Sequence, residues 1–395
     1  MSKLLACSLI CGVYCALLVP ACNKAESGAP SDGVASVTSS ASAAPAKPAV
    51  VAPLAGERVD IPAGSFTAGS RPGEAGRDPE LEPRSYQLEL GAFSMDRLPY
   101  PNDPEKQPLT GVSRDEALKL CAKDGARLCT ELEWERACKG PDSNRFATGN
   151  TWDPACADEP RKCAAALGVL GLGANLKEWT ASDKNPEAEG ERDAILRGAF
   201  RKEADTLHRC ATRRAEKPDT ESDEIGFRCC KGAPNAAVVP EPKAGDPFKK
   251  RELKGDELTK LLLADERTKG LAKDLVFFSE PEAAHTVVSR GPGDRKGFGF
   301  TVAALDWNPV AGSNYLVVTA RSGKDTSFVL AYRLVDEKQY ELASSFIMYD
   351  EPGPVALAYS DSIRVRLHFS SCWGCPGETG KILFRNPDDV VILQP

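Results

Sequence analysis

Histidine is scarce in this chain: His208, His285 and His368 are the only three among 395 residues, and they stand at no metal-ligand spacing. A metal centre built on imidazoles therefore lacks donors. Long runs of one charge are also missing. Fifty basic residues against 57 acidic ones leave a formal charge of -7 dispersed along the chain, which argues against a polyanion-binding surface, so no nucleic acid partner is expected. There is no phosphate-binding glycine loop, nucleophile elbow or carboxylate pair at recognisable spacing. Beyond the first segment, no apolar run approaches the roughly 20 residues needed to span a bilayer.

That first segment reads as an export signal. Lys3 supplies a positive start, Leu4 to Val19 is apolar, and Val19-Pro20-Ala21-Cys22 resembles a lipobox. Residues 1–22 are then a lipoprotein signal peptide, with Cys22 as the lipidated N-terminus. A plain signal peptide cut elsewhere, or an uncleaved anchor, is the other reading, given Pro20 and the nearby Cys7, Cys11 and Cys15. Asn23 follows Cys22 where an aspartate would signal inner-membrane retention, so an outer-membrane lipoprotein facing the periplasm or cell surface is expected. The membrane is then a partner through the lipid alone. Residues 23–56 are rich in Ala, Ser, Pro and Gly and cannot bury enough surface to offset chain entropy; they read as a disordered tether.

Of 14 cysteines, ten remain after Cys7, Cys11, Cys15 and Cys22 are set aside, an even number that suggests disulfides in an exported protein. Two helix starts lie among them. Ser113-Arg114-Asp115-Glu116 and Thr130-Glu131-Leu132-Glu133 are capping boxes, and apolar stripes follow that include Cys121 and Cys138. The surrounding sequence is loop-rich. A Pro- and Ala-rich stretch, 233–250, marks a linker to a β-rich part at 251–395. That part opens with a helix expected over Asp256 to Lys269, with Leu258, Leu261 and Leu262 on one face. Strands are then expected at Leu275–Phe278, Phe300–Leu305, Tyr315–Ala320, Ser327–Leu334, Leu342–Met348, Ile363–Phe369 and Val390–Leu393, forming one antiparallel sheet. The fold class is α+β.

Seven motifs in order carry a family resemblance. They are Ile61-Pro62-Ala63-Gly64-Ser65-Phe66, Phe93-Ser94-Met95-Asp96, Gly111-Val112-Ser113, Arg127 to Glu135, Asn175 to Thr180, Leu196-Arg197-Gly198 and Gly226-Phe227-Arg228-Cys229. Over residues 57–232 the chain resembles the formylglycine-generating enzyme, or sulfatase-modifying factor, family. The resemblance implies a compact C-type lectin-like fold with many irregular loops. It also implies disulfides Cys121 to Cys229 and Cys138 to Cys210. Cys129 and Cys230 depart from the family pattern and are expected to pair with each other, as are Cys156 and Cys163, although these four cysteines allow three connectivities.

The same resemblance places a copper-binding cysteine pair between the Arg-Gly motif and Cys210. Here Ala199 to Arg209 contains no sulfur. Carboxylate, amine and a single imidazole do not replace soft thiolates for copper(I) chemistry, so copper is not expected and the family oxidation should be lost. Calcium is open: Glu178 and the Leu176 carbonyl survive from a family calcium loop whose first oxygen donor is missing, and the alternative is that Glu178 and Asn175 only hold loops. Arg213, Arg214 and Arg228, with Asp223 and Glu224, are candidates to line a binding cleft or to form a solvated face. Cys372-Trp373-Gly374-Cys375 precedes Pro376-Gly377, a turn and not the helix start a redox thiol wants, so a structural disulfide is expected there. The chain as a whole reads as a non-catalytic binding or scaffold lipoprotein for a protein, peptide or glycan. A modifying enzyme with a rebuilt active site, or a thiol oxidoreductase using Cys372 and Cys375, are the rival readings.

Overall fold

The computed structural model describes residues 50–283, 298–370 and 380–394, less positions 188, 191 and 303. Cys22, His285, Cys372, Cys375 and most of the expected tether lie outside the described residues. From Val50 onward the chain packs as one compact unit. No helix among the described residues is long and apolar enough to cross a membrane.

Residues 58–231 are short strands and loops around two helices, α1 (Arg114–Lys123) and α2 (Glu131–Lys139). Both helices start where the sequence puts them. Ser113 Oγ accepts from the Glu116 backbone N–H, while Thr130 and Glu133 form the full reciprocal box, which satisfies two free donors at the start of α2. A third, four-residue helix, α3 (Ala155–Asp158), carries Cys156, which is bonded to Cys163. One sheet runs in the order Arg58–Ile61, Phe93–Asp96, Cys229–Lys231, Arg127–Leu128. Another runs Arg213–Glu216, Ala194–Arg197, Lys177–Asp183, Ile225–Phe227, its last pair parallel.

The strand Cys229–Lys231 ties the two helices together. Consecutive residues of a strand point to opposite faces. Cys229 therefore joins Cys121 of α1 in one apolar cluster with Trp179 and Phe227, and Cys230 joins Cys129 in a second cluster with Trp134 and Met95. The S–S distances are 2.01 Å in both, and Cys138–Cys210 and Cys156–Cys163 close at 2.00 and 2.04 Å. Cys121–Cys229 and Cys138–Cys210 are the pairings the family resemblance implies, and of the three connectivities open to the other four cysteines the structure has Cys129–Cys230 with Cys156–Cys163. The adjacent cysteines at 229 and 230 thus fasten one strand to two separate cores.

The C-terminal part differs from the single sheet expected. Among the described residues it has two antiparallel sheets and a helix, α4 (Gly255–Leu263), that ends earlier than the Asp256 to Lys269 expected. The first sheet runs Phe248–Arg251, Ala304–Trp307, Tyr315–Ser322, Thr326–Leu334, Tyr340–Met348; the second runs Phe298–Thr301, Ala356–Ser360, Ile363–Ser370, Gly380–Asn386, Asp389–Leu393. Along Tyr315–Ser322, Tyr315 and Val317 face the second sheet, whereas Leu316, Val318 and Ala320 face Leu258 and Leu262 of α4. Both faces of this strand are covered, which is why it reads as an unbroken apolar run. The single strand expected at Phe300–Leu305 is two, Phe298–Thr301 and Ala304–Trp307, in different sheets, and three further strands were not expected: Phe248–Arg251, Ala356–Ser360 and Gly380–Asn386. Of these three, Phe248–Arg251 is charged along most of its length and is an edge strand, recognisable only by its pairing with Ala304–Trp307.

Candidate functional site

The centre of residues 58–231 is helix α2, in which all nine residues are buried although five carry charges. Isolated charges could not be accommodated there, so each carboxylate must have a cation. Glu133 takes two bonds from Arg127, both 2.8 Å, and also accepts from the Thr130 backbone. Glu131 takes two from Arg213, at 2.9 and 3.0 Å. Glu135 takes one from Arg197 at 2.5 Å and lies 3.2 Å from the Lys139 ammonium. Burial pushes the Glu135 carboxyl up, but Arg197 and Lys139 outweigh it and hold the group below the usual carboxylate range. Nη1 of Arg197 donates to the carbonyls of Cys210, Ala211 and Thr212, fastening the chain just after the 199–209 stretch to the helix.

Glu178 is the second node. In the parallel pairing Glu178 stands opposite Gly226, and Arg228, two residues further on, emerges on the same side as Gly226 by the strand's alternation. Its guanidinium meets the carboxylate with both arms, Nε to Oε2 at 2.7 Å and Nη2 to Oε1 at 2.8 Å. Trp134 Nε1 donates to the same Oε2 at 2.8 Å. Arg228 also donates to the carbonyls of Asp96, Arg97 and Leu170. The whole cluster is closed to water.

Between these nodes lies the stretch 199–209. Ala199, His208 and Arg209 are buried. His208 Nδ1 lies 2.7 Å from the Gly173 carbonyl, and the imidazole stacks on Trp152 with ring centres 4.1 Å apart. Burial holds this imidazole below its ordinary value, so the neutral ring with Nδ1–H donating fits the contact. Arg209 pairs with Glu82 at 2.9 Å and Glu74 at 2.6 Å. Glu203 accepts from the Phe200 backbone and from Arg214 at 3.0 Å. The stretch is filled and braced, with no sulfur in it.

Beside Glu178 and Asn175 opens a pocket of about 420 Å³, lined by Leu98, Pro99, Pro160, Arg161, Leu176 and Arg201 among others. Its rim charges mostly neutralise each other: Lys106 pairs with Asp103 at 3.1 Å and Lys162 with Glu159 at 2.6 Å.

Residues 96–233 match the family described as the sulfatase-modifying factor enzyme 1-like domain. This segment belongs to the sulfatase-modifying factor family. The chain is 33% identical over 157 residues to the inactive C-alpha-formylglycine-generating enzyme 2 of Mus musculus, across 32% of this chain and 49% of that protein. The corresponding Bos taurus protein is 32% identical, over 32% of this chain and 50% of that protein. The formylglycine-generating enzyme of Mus musculus is 26% identical, over 31% of this chain and 43% of that protein. The chain thus spans about half the length of the relatives it matches. Among solved structures it is similar to PvdO from Pseudomonas aeruginosa, at 20% identity and a TM-score of 0.38, covering 44% of this chain and 93% of that one. CarF is similar at 17% identity and a TM-score of 0.36, covering 46% of this chain and 100% of that one.

Within the sulfatase-modifying factor segment, two expectations need correction. The Leu176 carbonyl and Glu178 do not fit a calcium ion: both Glu178 oxygens are already held by Arg228, and a divalent cation would have to sit against that buried guanidinium. Glu178 serves as the anchor of Arg228. Arg213, Arg214 and Arg228 are each paired with a carboxylate, Glu131, Glu203 and Glu178 respectively; Arg228 is buried, while Arg213 and Arg214 are partly exposed. Asn175 holds a loop, donating to the Ala157 carbonyl at 2.7 Å, and Glu224 pairs with Lys177. Among the described residues, the grouping closest to a metal-ligand set is Asp153, Cys156 and Cys163, whose two sulfurs are bonded to each other. His368 sits in the strand Ile363–Ser370 of the sandwich, apart in sequence and sheet from His208. Sequence reading missed Glu131, Glu135 and Arg197 as a buried ionic group. The signal was present in the spacing of Glu131 and Glu135, which puts two acids on one helix face, but a half-exposed surface helix gives the same pattern.

Proposed function

We propose that this chain is a non-catalytic, disulfide-stapled binding or scaffold protein built on a sulfatase-modifying factor domain. The observation that carries the reading is the stretch 199–209. It offers no thiolate, and its buried and half-buried polar groups are held by internal partners, His208 by Gly173, Arg209 by Glu74 and Glu82, and Glu203 by Arg214, while Arg201, Lys202, Asp205 and Thr206 face solvent. Copper(I) oxidation of a thiol requires soft sulfur donors at the metal, and nothing in the stretch supplies them. The name of the mouse relative, an inactive formylglycine-generating enzyme, is in keeping with that reading.

The same reading makes this an exported protein carried on the outer membrane by lipid at Cys22, facing the periplasm or cell exterior, with a C-type lectin-like fold over 57–232 and the sandwich as a separate domain. Its ligand is a protein, peptide or glycan. The test is incubation of the purified chain with copper, oxygen and a peptide carrying a sulfatase-type cysteine. Unchanged thiol by mass spectrometry is expected, and conversion to an aldehyde would overturn the proposal.

A further inference from the structure

Residues 70–85 run between two bodies. On one side they touch the 199–209 stretch and its surroundings: Glu74 pairs with Arg209 and with Arg145, both at 2.6 Å, and Glu82 takes Arg209 Nε at 2.9 Å. A Cβ built on Gly76, whose φ is +78°, would come within 3.1 Å of Thr206 Cγ2. On the other side they touch the sandwich. Arg71 pairs with Glu341 at 2.8 Å, and Arg84 donates to the carbonyls of Gly312 and Leu334, both at 2.8 Å. Gly73, at φ +76°, lies so close to the Arg333 guanidinium that a Cβ there would fall 1.7 Å from Nη2.

The key contact is Arg77. Its side chain is 2% exposed, donates to Ser70 Oγ and the Glu82 carbonyl at 2.8 Å each, and pairs with Asp388 of the sandwich. Arg333 donates to the Asp388 carbonyl from the other side. Four guanidiniums, those of Arg71, Arg77, Arg84 and Arg333, thus gather around two carboxylates, Asp388 and Glu341. Asp388 is the carboxylate that Arg77 meets, and removing it leaves Arg77, Arg84 and Arg333 as like cations facing one another.

We propose that residues 70–85 are a strap closed over the 205–209 turn, and that the sandwich holds it shut through Asp388 and Arg77. The C-terminal part is then a clamp on the sulfatase-modifying factor segment. Releasing it frees Arg209 from Glu74 and Glu82 and uncovers the buried end of the turn, whose Asp205 and Thr206 already face solvent. A ligand that competes for the arginine cluster, an anionic one by its chemistry, would open the strap.

The test is amide hydrogen exchange on the full chain. In Asp388→Arg, exchange should quicken at least tenfold both in peptides of 70–85 and in those of 205–209, while α2 stays protected. The swapped pair, Arg77→Asp with Asp388→Arg, should restore protection to both. If 70–85 quickens and 205–209 does not, the sandwich holds only itself and the proposal fails; it fails equally if neither changes. Should Asp388→Arg not fold, the isosteric Asp388→Asn decides by the same comparison. These outcomes are independent of the thiol-conversion assay, which addresses only the absence of catalysis.

Discussion

Arg228 lies against Glu178 with two hydrogen bonds of 2.7 and 2.8 Å, and both side chains are 1% exposed. A charge in that position cannot be left alone. Arg228→Ala is expected to destabilise the chain by about 3 to 5 kcal/mol, the usual cost of stranding one member of a buried pair. Urea denaturation monitored by tryptophan fluorescence checks it, and a loss under about 1 kcal/mol would mean that water reaches Glu178.

Trp134 supplies the third bond to Glu178. Trp134→Phe keeps an aromatic ring in the core and removes the donor, while Arg228 still satisfies both oxygens. The hydrogen-bond part of the loss should be about 1.5 to 3 kcal/mol, as for a bond to a charged group. A double-mutant cycle with Glu178→Gln isolates that part from the change in ring volume, and additive effects would show that the indole is present for packing alone.

Cys121–Cys229 and Cys129–Cys230 span 108 and 101 residues between nearly adjacent ends. Either one alone keeps the long loop closed. By the loop-entropy relation, the first bridge removed releases only a short loop, worth roughly 2.6 kcal/mol, and the second releases a loop of about 30 residues, the long one being already shortened by Cys138–Cys210, worth roughly 3.7 kcal/mol. Denaturation of the two single and the combined Cys→Ala pairs should show this order dependence, whereas equal losses at each step would contradict it.

Acid should weaken the fold in two windows. Burial lowers the His208 imidazole, so below its ordinary value of about 6.5 the unfolded chain binds a proton that the folded chain refuses, and stability falls with pH from there. Glu135 is also held below its ordinary value, Arg197 and Lys139 outweighing burial, so its contribution is present near neutrality and is lost as pH drops below the carboxylate range. His208→Asn should flatten the upper window alone. Urea midpoints between pH 7.5 and 3 measure both, and an unaltered upper slope in His208→Asn would rule out this residue as its source.

Much of the sulfatase-modifying factor segment was legible as sequence because its signals are local. Capping boxes at Ser113 and Thr130 depend on residues three apart, and the absence of sulfur from 199–209 needs no coordinates. Cys121–Cys229 and Cys138–Cys210 came from family resemblance, while the reason that Cys229 and Cys230 take different partners appears only in the structure: they point to opposite faces of one strand and so reach different cores.

What the chain alone determined is the chemistry it can offer: which atoms are present, where helices start and which stretch carries no thiol. What tertiary structure alone decided is the partner of each charge. Arg213, Arg214 and Arg228 read as a cleft lining or a solvated face until strand register sets Arg228 beside Glu178 in the core and α2 brings Glu131 to Arg213. The sandwich in place of a single sheet has the same origin. Strands such as Phe248–Arg251 are specified by pairing with chain more than 50 residues away, and such long-range contacts leave no periodic trace in the segment itself.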